Sequence, residues 1–165
     1  MDRKRLYLYT AILQVALIGF LTGTTKAQYI LGKFPSSLNF SRPKDNPNLP
    51  KSPGFTYVYK TENKDSILTK KVTVTYDTVL IQGIRCQIIY DAKWNYLKRF
   101  GKRFLSSETY HLYAWDNWGN VWDFGKDSFV YMYNRNWRRY GIDMKASWLA
   151  GKNGAIPRII MPAVN

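Results

Sequence analysis

From Gly54 onward, turn signals recur too closely for a crossover helix to fit between them, and that spacing leaves antiparallel strands as the way to build a sheet. Phe55, Tyr57 and Tyr59 fall on one face of a first extended segment, which ends at the polar turn Thr61-Glu62-Asn63-Lys64-Asp65. Val72-Thr73-Val74-Thr75-Tyr76 is β-branched and aromatic, the composition of a strand. Residues 79–81 and 84–90 flank the tight turn Gln82-Gly83. The stretch ETYHLYAWDNWGNVWDFGKD, residues 108–127, reads as two short strands around Asp116-Asn117-Trp118-Gly119-Asn120. Tyr110, Leu112 and Ala114 alternate with their neighbours there, predicting one buried face. A second break is predicted at Gly125-Lys126-Asp127. Asp116, Asn117 and Asn120 around Gly119 resemble the start of a calcium loop, but the distal bidentate Glu is missing, so the reading is a plain turn and no metal. The fold class predicted is mainly β: a single antiparallel domain over residues 54–165, as an open curved sheet, small sandwich or barrel, after an N-terminal signal helix.

Residues 1–27 have the tripartite form of a secretory signal. Arg3, Lys4 and Arg5 precede an apolar run, and Thr25-Lys26-Ala27 places small residues at a cut before Gln28. The protein is therefore expected to be exported, to a periplasmic or extracellular location. The alternative is an anchor formed by an uncleaved N-terminal helix. No Cys follows the apolar run, so a lipid-modified N-terminal cysteine is not expected. Residues 28–53 hold Pro35, Pro43, Pro47, Pro50 and Pro53, which forbid a regular helix and predict an extended arm, packed along the domain or mobile. The remaining length suits one domain with a core. The single cysteine, Cys86, lies among apolar residues and predicts a buried, inert thiol.

Two runs combine cations with aromatic rings. The first has Lys93, Lys98, Arg99, Lys102 and Arg103 with Trp94, Tyr96, Phe100 and Phe104. The second has Arg135, Arg138 and Arg139 with Tyr133, Trp137 and Tyr140. The formal net charge is +14; residues 1–27 hold one acid and four bases, so the chain without them keeps +11. A balance this basic favours contact with an anionic membrane surface or a polyanion. Basic residues bind phosphate, and aromatics sit at a lipid interface. Export and the lack of a nucleic-acid-binding motif argue against a specific nucleic acid. Trp94, Trp118 and Trp137 are the candidate aromatic contacts, and Trp118 stands out because core packing explains a turn tryptophan least. The composition leaves oligomeric state open.

The order of several short motifs resembles a known family. These are Asn46-Pro47 with Pro50, Pro53-Gly54, Tyr57-Val58-Tyr59, Val72-Thr73-Val74, Gly83 and Cys86, followed by Tyr113-Ala114, Asp116, Gly119-Asn120-Val121-Trp122 and Phe124-Gly125. Ser147-Trp148, Ala150-Gly151, Gly154-Ala155, Pro157 and Ile159-Ile160-Met161-Pro162-Ala163 complete the set. The pattern is similar to uncharacterised exported bacterial proteins, many of them lipoproteins, marked by a GNVW-FGE hairpin and a downstream SW-AG-GA-PGIIMP segment. The resemblance spans residues 46–163 and implies a secreted, strand-rich domain with no assigned activity. Lys126 stands where the family has an acid, and Arg158 where it has a glycine. The hairpins at residues 91–107 and 131–140 are basic and aromatic where relatives are acidic or neutral. The chain ends at Asn165 where relatives continue into another strand, which predicts an exposed sheet edge.

Catalysis has few candidate groups. There is one His and one Cys, with no clustered metal ligands, nucleophile elbow or phosphate-cradling loop, and no cofactor is implied. Asp116 and Asp123 lie across a turn and make the one candidate carboxylate pair, with Asp127 nearby. The reading is a non-catalytic exported envelope protein acting through its basic-aromatic hairpins. A sugar- or lipid-binding domain is the second reading, with Trp115, Trp118, Trp122, Trp137 and Trp148 lining a groove. A hydrolase using the carboxylates is the third.

Overall fold

The computed structural model describes residues 34–164. The predicted signal helix, its cleavage point and the first residues of the arm lie outside them. The rest forms one antiparallel sheet of eight strands in the order β1-β2-β3-β4-β5-β6, with β7 and β8 also paired to β5. The strands are β1 Thr56–Glu62, β2 Ser66–Ile81, β3 Ile84–Leu97, β4 Lys102–Trp115, β5 Val121–Tyr133, β6 Arg139–Asp143, β7 Trp148–Leu149 and β8 Arg158–Met161. Of the three predicted arrangements, the open sheet is the one found.

β5 is the strand on which the second half of the chain is assembled. One side pairs with β4 along its length. The other side takes three short strands in turn: β8 at Val121, Trp122 and Asp123, β7 at Gly125 and Lys126, and β6 from Val130 to Tyr133. The break predicted at Gly125-Lys126-Asp127 is thus a bulge inside one strand, where two residues of β5 oppose one of β4 between His111 and Tyr113. Gly125 holds φ 144, and a Cβ there would lie 2.5 Å from the Trp148 carbonyl oxygen. The glycine marks close approach by β7 and not the end of a strand. Likewise, residues 72–76 and 79–81 belong to a single 16-residue strand, irregular between Val74 and Thr78.

The sheet has a core on each side. Cys86 and Ile89 are an odd number of residues apart on β3 and face opposite ways. Cys86 packs with Ile84, Phe124 and Ala114, joined by Phe34, Phe40 and Trp122. Ile89 packs with Val74, Trp115, Val121 and Leu49. Ala114 and Trp115 are consecutive and both buried, so the one buried face predicted for this segment is corrected to two. The arm is the reason. Its 3₁₀ turn, Ser37–Phe40, brings Phe40 within 5.7 Å of the Phe124 ring on one face. A few residues on, Leu49 covers the other face and its carbonyl accepts the Trp115 indole N–H at 3.0 Å.

The turn between β4 and β5 holds arm, sheet and C-terminal segment together. Asp116 accepts the backbone N–H groups of Trp118 (3.0 Å) and Asn120 (2.9 Å) on one oxygen. Its other oxygen accepts Asn120 Nδ2 (2.7 Å) and the Trp122 indole (2.9 Å). From the arm, the backbone N–H of Lys44 donates to the Asp116 carbonyl at 2.9 Å, and fully buried Asn46 donates to the carbonyls of Gly119 (2.8 Å) and Pro162 (3.0 Å). Asn120 Oδ1 accepts the Ala163 N–H at 2.7 Å. The GNVW motif is therefore a fastening whose polar atoms bond to the protein itself.

Candidate anionic-surface interface

The far end of the sheet, away from that turn, carries the two basic-aromatic runs. Lys98–Phe100 forms a 3₁₀ turn between β3 and β4, closed by Gly101 in the left-handed conformation. Residues 134–138 connect β5 to β6, where Asn134 Oδ1 accepts the N–H groups of Asn136 and Arg138, each at 3.0 Å. These turns belong to different hairpins, yet their aromatic rings meet. Trp137 lies 5.8 Å from Phe100 and 5.3 Å from Phe104, and Phe104 lies 5.0 Å from Tyr133. Such pairs gain roughly 0.5–1.5 kcal/mol beyond the area they bury. Trp137 also holds φ 60, a conformation that costs a non-glycine residue roughly 1–2 kcal/mol. Ring packing against the neighbouring hairpin offsets that cost.

Three cations of the same hairpins lie against aromatic rings. Arg103 lies 5.8 Å from the Trp94 ring centre, Arg99 5.5 Å from Phe100 and Arg139 4.9 Å from Tyr131. Arg99, Lys102, Arg103, Arg135, Arg138 and Arg139 are all exposed. Among the described residues, no carboxylate lies within 4.0 Å of any of the six. Lys93 and Trp94 are half-buried on β3 beside them. Beneath, Tyr90 and Tyr131 donate their hydroxyls to the two oxygens of Glu108. The bond to Glu108, then partial burial, pushes the Tyr131 phenol up to about 12.

Two predicted contacts have different roles. Lys98 is committed to the protein: its ammonium sits 2.8 Å from Glu62 and donates to the Asn63 carbonyl at 2.7 Å, tying the β3–β4 turn to the β1–β2 turn. Trp118 is 59% exposed and follows the opposite end of β4, roughly 40 Å of strand from the hairpin tips. It cannot share a surface with Trp94 and Trp137. The five-tryptophan groove also divides, because Trp115 packs on one face while Trp122 and Trp148 pack on the other.

Cys86 and His111 are on opposite faces, since His111 pairs directly with Ile89. Burial, then the nearby Asp123 charge, pushes the Cys86 thiol up to about 12. Asp116 and Asp123 have no partner in common. Burial opposes ionisation of Asp116, but the indole of Trp122 and the donors of Asn120 and Trp118 outweigh it and hold the carboxyl below the usual range. Asp123 accepts the Gly125 N–H at 3.0 Å and faces Arg158 at 3.9 Å, and burial still holds it above that range.

One grouping was not visible in the sequence. Lys70, Asp91 and His111 come from three strands and converge on one face, with Lys70 Nζ 3.0 Å and His111 Nε2 3.8 Å from Asp91 Oδ2. Charged residues at inward positions of adjacent strands were the available signal, but it needs the register to be known. The chain matches no family model, no curated protein and no solved structure.

Proposed function

We propose that the protein is an exported, non-catalytic binding protein whose basic-aromatic sheet end docks on an anionic lipid surface. One observation carries this reading: two separate hairpins bring Phe100, Phe104, Tyr133 and Trp137 into one aromatic cluster, and the same two hairpins carry six exposed cations with no carboxylate partner among the described residues. Like charges held together cost stability, so a clustered excess is better explained by a ligand than by the fold. Aromatic rings beside cations suit the headgroup layer, where the rings sit at the boundary and the cations attract anionic lipid at about 1 kcal/mol each. Export supplies the setting, and the resemblance to exported envelope proteins supports it.

The test is co-sedimentation of the purified protein with anionic and with neutral vesicles across a salt series. The expected result is binding to anionic vesicles alone, weakening as salt rises. Equal binding to both kinds, or none by a folded sample, would overturn the reading. Binding to a soluble polyanion without vesicle binding would replace the lipid surface with a polymer.

A further inference from the structure

We infer that the face of the sheet carrying Lys70, Asp91 and His111 holds a second, independent site, for a single neutral sugar ring. The side chains converge on a cavity of about 180 Å³, room for roughly six waters and well below a drug-sized pocket. Strand alternation builds it: Tyr59 from β1, Lys70 from β2, Asp91 from β3, and His111 and Tyr113 from β4 all line it. Val72 and Ile89 add apolar surface, and Asn48 and Leu49 of the arm reach it from outside the sheet.

The chemistry selects the ligand class. Asp91 is buried and its Oδ1 has no hydrogen-bond partner among the described residues; the same holds for His111 Nδ1. Buried polar atoms are almost always paired, so these two, closed off from solvent behind the cavity wall, are unmet hydrogen-bonding groups that a turn of either side chain would present to a ligand. The lining places its one lysine against its one carboxylate at 3.0 Å, so neither charge is left free to attract an ion. Lys93 and Arg158 act on Asp91 and Asp123 from outside the lining. A carboxylate beside an ammonium and phenols offers acceptors and donors side by side, which hydroxyl groups match because each both donates and accepts. Tyrosine rings and apolar side chains alongside suit the C–H face of a sugar ring. An apolar ligand would give the phenols of the lining no hydrogen-bond partner, and an anion would have to compete for a lysine already bound to Asp91.

The experiment is a titration of the isotopically labelled protein, followed by two-dimensional amide NMR, with glucose, galactose, mannose and N-acetylglucosamine, and with glucuronic acid as the acidic arm. The expected result is saturable movement of signals from Asp91, His111 and Tyr113 with at least one neutral sugar. Asp91→Asn should weaken that binding about tenfold or more, as loss of a charged hydrogen-bond partner does. Tyr59→Ala, at a position 55% exposed and outside both cores, should weaken it without disturbing the fold. Vesicle binding should be unchanged in both variants, which separates this site from the hairpin surface. No saturable movement with any neutral sugar, movement with the acidic sugar alone, or binding unaffected by both variants would overturn the inference.

Discussion

At the residue scale, Asp116 shows why a motif can be specific without being catalytic. Both its oxygens are occupied by donors of its own turn and by Trp122. Replacing it with Ala leaves four donors without their carboxylate, and we expect a loss of about 3 kcal/mol, measured by denaturant unfolding. The sign of its pH dependence follows from its lowered folded value. Its contribution is complete above the ordinary aspartate range and is lost as pH falls through the depressed folded value, so Asp116→Asn should flatten the acid limb of the stability profile. Asp123 acts in the opposite sense, because burial raises its folded value: its charged form costs stability, and that cost fades as pH falls towards the ordinary range. Cys86 should resist alkylation at neutral pH in the folded protein and react once unfolded, since its thiol is buried and held near 12. The buried thiol and the turn were legible in the sequence from apolar neighbours and from Asp, Asn and Gly. The partners of Asp116 were legible only in part: Asn120 is local, whereas the use of the Trp122 indole depends on how β5 leaves the turn.

At the element scale, the strands were legible and their continuity was not. A glycine inside a strand pattern reads as a break when only the local chain is visible, yet Gly125 is there because the Trp148 carbonyl approaches from β7, twenty-three positions along. Gly125→Ala should cost about 2–3 kcal/mol and loosen β7, seen as faster amide exchange at Ala150, whose N–H donates to the Phe124 carbonyl at 2.8 Å. The arm carries a similar lesson. Its prolines forbid a helix, but only the structure shows Phe40 and Leu49 sealing opposite faces. Leu49→Ala should cost about 2–3 kcal/mol by opening a cavity against Trp115 and Ile89. Asn46→Ala should cost about 2 kcal/mol, because the carbonyls of Gly119 and Pro162 lose their donor.

At the scale of the whole molecule, the described sheet has two differently built ends. The turn end is dense, with arm, β4–β5 turn and C-terminal segment bonded to one another. The hairpin end is open, basic and aromatic. Composition gave the excess of charge, and residue order gave the two runs. That the runs meet depends on β3–β4 and β5–β6 turning back at the same end of the sheet, which strand lengths of 13 to 14 residues bring about. Lys98, counted with the other cations by sequence, is withdrawn from them by Glu62, a residue whose proximity no local pattern reveals. In the proposed function it is this location, and not net charge alone, that binds anionic lipid. The most direct measurement compares two double variants of equal charge change in affinity for anionic vesicles: Arg99→Glu with Arg138→Glu at the hairpin end, and Arg85→Glu with Lys152→Glu away from it, all four positions being exposed. The expected result is a loss of about tenfold or more for the first pair and a much smaller one for the second. Equal losses in the two would contradict it.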